Sequence, residues 1–466
     1  MPTARTSPVV SYAALALAAV GIYFLYATSS GSYQSMAISS LVVSGMCLVA
    51  VTRAWGFDLL QGPVLYLVLF LIFHLGIVWT LGFVGDDAVR QVSPTAFLWI
   101  RTGYFPTAVT LACVGAIVYS FVCIVLPRKP LVAPTQRPTG LPRDRRMAVS
   151  LGTTGLLLEM VGLGLALSSV VSAGGVSLLF GGYLKFLEAA QPSPLAYGIW
   201  AIGVGASLSQ LGSRATRKSG LTIFLLFALV MFPLGLRGSV LFPAAVLLAT
   251  RAALGQRLRP VYLGPGILAV LSLSSVVRAT RIAGPSGGGD WYLGPISTIT
   301  ELGFSLRPTV EVLRWHDLGL PQTWFVSFVA VPIRLVERAT NWRGGPPAVD
   351  ERLFNVKVSE LAGPIGGSPV AEGYDAAGLL GSVVIMATIA LVICVISRQD
   401  KRGAMQIAMF PVVLLPLLIA VRNSFTPVIV QVVIGGTLIL MTRKLSAGQA
   451  GQDRKSPPQE DTLLAR

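Results

Sequence analysis

Two carboxylates three positions apart, Glu372 and Asp375, flank Tyr374 in a glycine-rich stretch. It reads Gly366-Gly367-Ser368-Pro369-Val370-Ala371-Glu372-Gly373-Tyr374-Asp375 and runs into Gly378-Leu379-Leu380-Gly381. A carboxylate placed there can accept a proton from a hydroxyl nucleophile. It can equally pair with a cation and only hold a site's shape. His316, in Trp315-His316-Asp317, is a third candidate base. The second set is cationic. Arg237, Arg278, Arg281 and Arg422 each fall at the end of an apolar run, and Arg278 and Arg281 share a face if the helix continues through them. The guanidinium fork matches phosphate oxygens, so convergence of these four would make a diphosphate site. Arg334, Arg338 and Tyr374 complete the candidate substrate-binding set. The bland alternative for the arginines is snorkelling at helix ends. Glu159 and His74 lie centrally in two other apolar runs. They read either as a proton relay or as polar groups hydrogen-bonded between helices.

The elements that must position these residues follow from composition. Of 466 residues 53% are apolar and only 12% are charged, against about 25% in an ordinary soluble domain. Mean hydropathy is +0.72. A water-soluble fold cannot hide that much apolar surface, so a soluble enzyme is excluded, and so is a disordered chain. Cys47, Cys113, Cys123 and Cys394 all lie inside apolar runs, and His74 and His316 are far apart in sequence. There is no disulfide framework, no metal motif and no expected cofactor. The net charge of +16 points to cytoplasmic loops and anionic membrane lipid rather than nucleic acid.

Runs of about 20 apolar residues predict an all-α polytopic membrane protein of about twelve spans. They fall at 9–27, 36–52, 62–85, 103–126, 147–171, 195–212, 220–236, 239–255, 260–277, 376–397, 404–421 and 425–442. The first lacks a small-residue cleavage site and reads as a retained helix. With both termini in the cytoplasm, 22 basic residues fall on inner segments and five on short outer loops, as the positive-inside rule requires. The runs 220–236 and 239–255 are short, contain Pro233 and Pro243, and form either a full or a re-entrant hairpin with Arg237 at its tip. The whole chain, 1–466, reads as one integral membrane domain. Within it, 278–375 is a large extracytoplasmic segment holding ten of the twenty acidic residues and four of the eight tryptophans. In that segment Trp324–Arg338 suits a helix lying in the outer interface or capping a cavity. The inner loop 127–146 and the cytoplasmic tail 445–466 read as solvated and flexible, and no internal repeat is evident.

Taken together, the glycine-rich Ala-Glu-x-Tyr stretch at 366–381, the Gly-x-Arg-Gly at 235–238, Arg422 between the last two spans and the large outer segment resemble the Wzy-type oligosaccharide repeat-unit polymerases, relatives of the O-antigen ligases. The resemblance covers roughly residues 200–442. The ligases' His-Asn pair is missing, which favours the polymerase branch. The polymerases' Asn-Phe-Gly is here replaced by Asp375-Ala376-Ala377-Gly378. The resemblance implies a metal-independent glycosyltransferase of the bacterial cell membrane. Such an enzyme moves a growing glycan from a polyprenyl-diphosphate carrier onto the next lipid-linked repeat unit at the outer face. A chain-length regulator is a further implied partner. Developing charge on the diphosphate leaving group needs pre-placed cations, which the arginines would supply. Glu372, Asp375 or His316 would be the base. The rival readings are a secondary transporter or lipid flippase, an O-antigen ligase, and a metal-dependent multi-span glycosyltransferase using Asp86-Asp87.

Overall fold

The computed structural model describes residues 32–55, 58–126, 145–174, 192–256, 260–282, 294–340, 350–398 and 403–453. Among them there is no strand. The longer helices are α1 (Tyr33–Trp55), α2 (Gly62–Phe83), α3 (Asp86–Val92), α4 (Tyr104–Val125), α5 (Arg145–Ser172), α6 (Pro192–Ser209), α7 (Arg214–Met231) and α8 (Arg237–Ala253). They continue with α9 (Pro260–Ile282), α10 (Gly294–Leu302), α11 (Arg307–Asp317), α12 (Val326–Ala339), α13 (Phe354–Ala362), α14 (Pro369–Ser397), α15 (Ala404–Ala420) and α16 (Thr426–Asp453).

Each expected apolar run apart from 9–27, which lies outside the described residues, coincides with a helix. Six of these helices, α1, α2, α4, α5, α14 and most of α16, are long and apolar enough to cross a bilayer. The apolar stretches of α6, α9 and α15 are shorter, and α7 and α8 fall below that standard of length and hydropathy. The molecule has the build of a helical membrane protein. Its outer surface agrees: Leu229 is 70% and Leu380 68% exposed, a placement that suits lipid rather than water. The segment 278–375 is largely helical where described, and α16 carries helix through 445–453 of the expected tail.

Among the described residues, the two larger of four apolar clusters hold the bundle. The larger joins α1, α2, α4, α14 and α15 around Trp55, Tyr66, Phe70, Phe105 and Tyr119. The buried polar tips of Trp55 and Tyr119 are satisfied there by donating to the carbonyls of Cys123 (2.9 Å) and Pro63 (3.0 Å). The smaller core joins α5, α6, α7 and α8. Its first two helices touch backbone to backbone: a Cβ on Gly155 would lie 2.6 Å from the Ser209 nitrogen, and one on Gly152 would lie 2.3 Å from Gly212 Cα, in the turn just after α6. Small residues that allow such approach are the usual means of packing helices in lipid, where the hydrophobic effect does not drive them together.

Candidate functional site

The glycine-rich stretch forms a helical hairpin inside α14. Pro369 occupies the first turn, and Ser368 caps it by accepting from the Val370 and Ala371 N–H groups. The helix breaks at Ala377 and at Gly378, whose φ of +60° and ψ of −146° suit glycine. Beyond the break the chain doubles back on the short helix 369–376. Ser382 Oγ donates to the Val370 carbonyl at 2.9 Å, and a Cβ on Gly381 would fall 1.9 Å from the Gly373 oxygen. The spacing had suggested one helix starting at Ala376. The observed half-helix and its return come from the two glycines, which let the backbones touch.

The open end of the half-helix is closed by a neighbouring corner. Thr323 and Trp324 donate their N–H groups to the Asp375 and Ala376 carbonyls at 2.9 and 2.8 Å. Trp324 and Phe325 hold φ of +47° and +62° to do so, a left-handed conformation that is costly for aromatic residues.

The two acids have different surroundings. Glu372 is buried, and its oxygens accept from Ser327 Oγ (2.9 Å) and the Phe425 N–H (2.7 Å). It therefore joins α12 to the loop between α15 and α16. Asp375 is also buried, and its Oδ1 takes the Lys357 ammonium at 2.6 Å. Thr323 Oγ1 donates to Oδ2 at 3.2 Å. His316 Nε2 stands 3.6 Å from Oδ1, and Tyr374 meets the imidazole edge-on, with 5.6 Å between ring centroids. His316 Nδ1 lies 3.0 Å from the Leu320 carbonyl. A carbonyl only accepts, so Nδ1 carries the hydrogen. In the neutral ring the Nε2 lone pair then faces a carboxylate oxygen, and Nε2 has no hydrogen-bond partner. Two acceptors face one another across this gap; a proton between them would join both, and a hydroxyl beside Nε2 could donate to it alone.

The structure thus brings Glu372, Asp375, Tyr374 and His316 together and adds Lys357, Thr323 and Ser327, which the sequence reading omits. Lys357 had one legible signal: it is the sole lysine in 278–375, among ten acids. The arginines are arranged differently from the expected cluster. Arg237, expected to meet a diphosphate or pair with the acids, grips both oxygens of Glu301 on α10 at 2.7 and 2.8 Å and donates to the Ser274 carbonyl. Arg334 donates to Asp350, which Arg352 also engages while reaching Glu337. These pairs fasten α12 to the start of α13. Asp350's carboxyl is held well below the usual carboxylate range, first by the Arg352 hydrogen bond and then by Arg334, against the opposing effect of burial. Arg278 and Arg281 lie on the last turns of α9, and Arg338 lies on α12; their side chains fall outside the described residues.

Arg422 is the arginine that adjoins the motif. Its carbonyl accepts from the Gly367 N–H at 3.0 Å, and a Cβ on Gly366 would lie 2.7 Å from that same oxygen. Its side chain is exposed, with no ion-pair partner among the described residues. The Gly366–Glu372 stretch therefore holds the Arg422 loop at two points, the Gly367 and Phe425 amides.

His74 and Glu159 do not form a relay; His74 follows the other reading, a polar group hydrogen-bonded between helices. His74 Nε2 meets Ser368 Oγ at 2.7 Å, and Nδ1 donates to the Phe70 carbonyl at 2.9 Å. The histidine thus holds the cap of the half-helix, and Glu159 lies in the other core, on α5. Asp86, at the start of α3, stands 3.9 Å from Arg101. Among the described residues, no three His, Cys, Asp or Glu side chains converge as a metal site would need.

Comparison of the chain with protein-family models, with curated proteins and with solved structures finds no match.

Proposed function

We propose that the chain is a membrane glycosyltransferase that extends a glycan carried on a polyprenyl diphosphate, using a second lipid-linked oligosaccharide as acceptor. The observation that carries this reading is the meeting of His316 Nε2 and Asp375 across 3.6 Å, with Lys357 on the same carboxylate oxygen. A sugar hydroxyl docking at the unpartnered Nε2 would donate to its lone pair. The hydroxyl proton passes to Nε2 as the oxygen attacks the donor's anomeric carbon. The bond from that carbon to the diphosphate oxygen breaks, and its electron pair leaves with the diphosphate. Asp375 faces the imidazolium so formed, and Lys357 balances the buried carboxylate. Arg422, exposed beside Gly366 and Gly367, is the described cation best placed to meet the leaving diphosphate. Glu372 holds that loop in place rather than acting as the base.

In this reading twelve spans place both termini in the cytoplasm of a bacterium and the site at the outer face of its cell membrane. The test is incubation of the purified protein with a polyprenyl-diphosphate-linked oligosaccharide, with and without EDTA. A ladder of longer products, formed equally in EDTA, is the expected result. Transbilayer movement of the lipid without elongation would replace this reading by a flippase. A ladder lost in EDTA and lost again in Asp86→Asn would replace it by metal-dependent transfer.

A further inference from the structure

Glu159 stands apart from this site, in the middle of α5, with no exposed surface. Neither of its carboxyl oxygens has a hydrogen-bond partner. It occupies a slot that glycines on two other helices leave open. A Cβ on Gly205 of α6 would lie 2.7 Å from Glu159 Cγ, and a Cβ on Gly220 of α7 would lie 2.7 Å from Oε2. The nearby polar side chains are engaged elsewhere: Ser209 donates to the Ala206 carbonyl, and Gln210 donates to the same carbonyl and to Ser209 Oγ.

Among the described residues, the elements packed against α5 offer no counter-charge beside Glu159. α6 and α15 carry no charged residue. On α7 the charged residues are Arg214, Arg217 and Lys218, all in its first turns, and Arg217 Nε donates to the Gly212 carbonyl. On α16 they are Arg443, Lys444 and Asp453, and Arg443 lies against Met405 sulfur. On α5 itself the other charges are Arg145 and Arg146, at its first turn. An isolated carboxylate in an apolar interior is far costlier than the acid, and an ionisable group inside a membrane helix marks a functional position by default.

We propose that Glu159 is a proton-binding site, loaded when α5, α6 and α7 are closed around it and emptied when α7 moves away. The ligand is the proton itself. Among the described residues no other His, Cys, Asp or Glu set joins this carboxyl as a metal ion would need. This proposal does not depend on the transferase reading.

The test is difference infrared spectroscopy of the full-length protein in lipid vesicles, wild type against Glu159→Gln, over mildly acidic to mildly alkaline pH. The expected spectrum has a protonated-carboxyl C=O band that shifts in heavy water, is missing in the Gln variant and falls as pH rises. Absence of that band in wild type overturns the proposal. So does a band that does not respond to pH, because the acid would then be a permanently neutral packing group. Glu159→Gln keeps size and neutrality, so its helix content should match wild type. A second probe, Gly220→Ala, should crowd Oε2 and the Ser209 hydroxyl beside it and move the titration. An unmoved titration would place the band on another residue and also overturn the proposal.

Discussion

Lys357 sets its ammonium 2.6 Å from Asp375, joining α13 to the half-helix in a place where only a sixth of the lysine side chain reaches the surface. A buried carboxylate that loses its partner is strongly destabilised. Lys357→Met should therefore cost about 3–5 kcal/mol and abolish turnover. The double variant Lys357→Met with Asp375→Asn should recover much of the stability but none of the turnover. Thermal unfolding in detergent beside the elongation assay separates the two effects. Equal stability of single and double variants would show that the pair carries no coupling.

Glu372→Gln swaps an acceptor oxygen for an N–H donor facing Ser327 or Phe425. Loss of one such buried bond costs about 1–3 kcal/mol. Because the Phe425 amide fixes the Arg422 loop, the expected signature is a higher KM for the lipid-linked donor, with kcat falling less. Arg422→Ala should remove elongation, and Arg422→Lys should restore it only in part, since a point charge does not reproduce the fork. Normal elongation by Arg422→Ala would remove this arginine from the site.

Gly381 tests the hairpin. Gly381→Ala puts a methyl into the Gly373 carbonyl, backbone that cannot step aside cheaply. Little folded protein should be recovered. Gly45→Ala, with nothing within 4 Å of the new methyl, is the control and should behave as wild type. Comparable yields of the two variants by size-exclusion chromatography would contradict the fold-back.

Asp350 predicts a pH dependence. Its pKa is lowered in the folded chain, so its ion pairs contribute stability above the unfolded carboxylate range, near about 3.9. That contribution fades as pH falls through the depressed folded value. Asp350→Asn should lower the melting temperature at neutral pH and by less in strong acid. A deficit that stays constant across pH would assign the loss to packing.

Orientation is open to a simple test. Leu318 is exposed at the end of α11, and all four native cysteines are buried. Leu318→Cys should react with an impermeant maleimide on intact cells and Arg137→Cys should not. The reverse pattern would turn the molecule over.

Hydropathy made the helices legible to within a few residues: 62–85 was expected for Gly62–Phe83, and 103–126 for Tyr104–Val125. Such runs have one physical cause, and it is local. The half-helix was less visible, because a fold-back leaves no periodicity. The signal available was Ser368 followed by Pro369, an N-cap and first-turn pair. The ionic partners were invisible for another reason. Arg237 with Glu301 and Lys357 with Asp375 join residues from different helices, and composition cannot distinguish one buried pairing from another. Gly366 and Gly367 show in the sequence only as part of a glycine-rich stretch, and nothing there tells that Gly366 admits the Arg422 carbonyl.

The bond between His74 and Ser368 has a bearing on biogenesis. His74 lies near the middle of α2, among the earliest helices made, and its partner lies 294 residues later in the chain. During synthesis the imidazole waits in the membrane without that partner, while some 290 residues are still to be threaded. The half-helix in turn has its cap hydroxyl anchored only after α2 has packed beside it. Loop closure over so long a stretch is slow. The half-helix is therefore among the last parts of the molecule to settle, and an unfinished chain would hold α1, α2 and α4 without the α14 and α15 residues that complete their core.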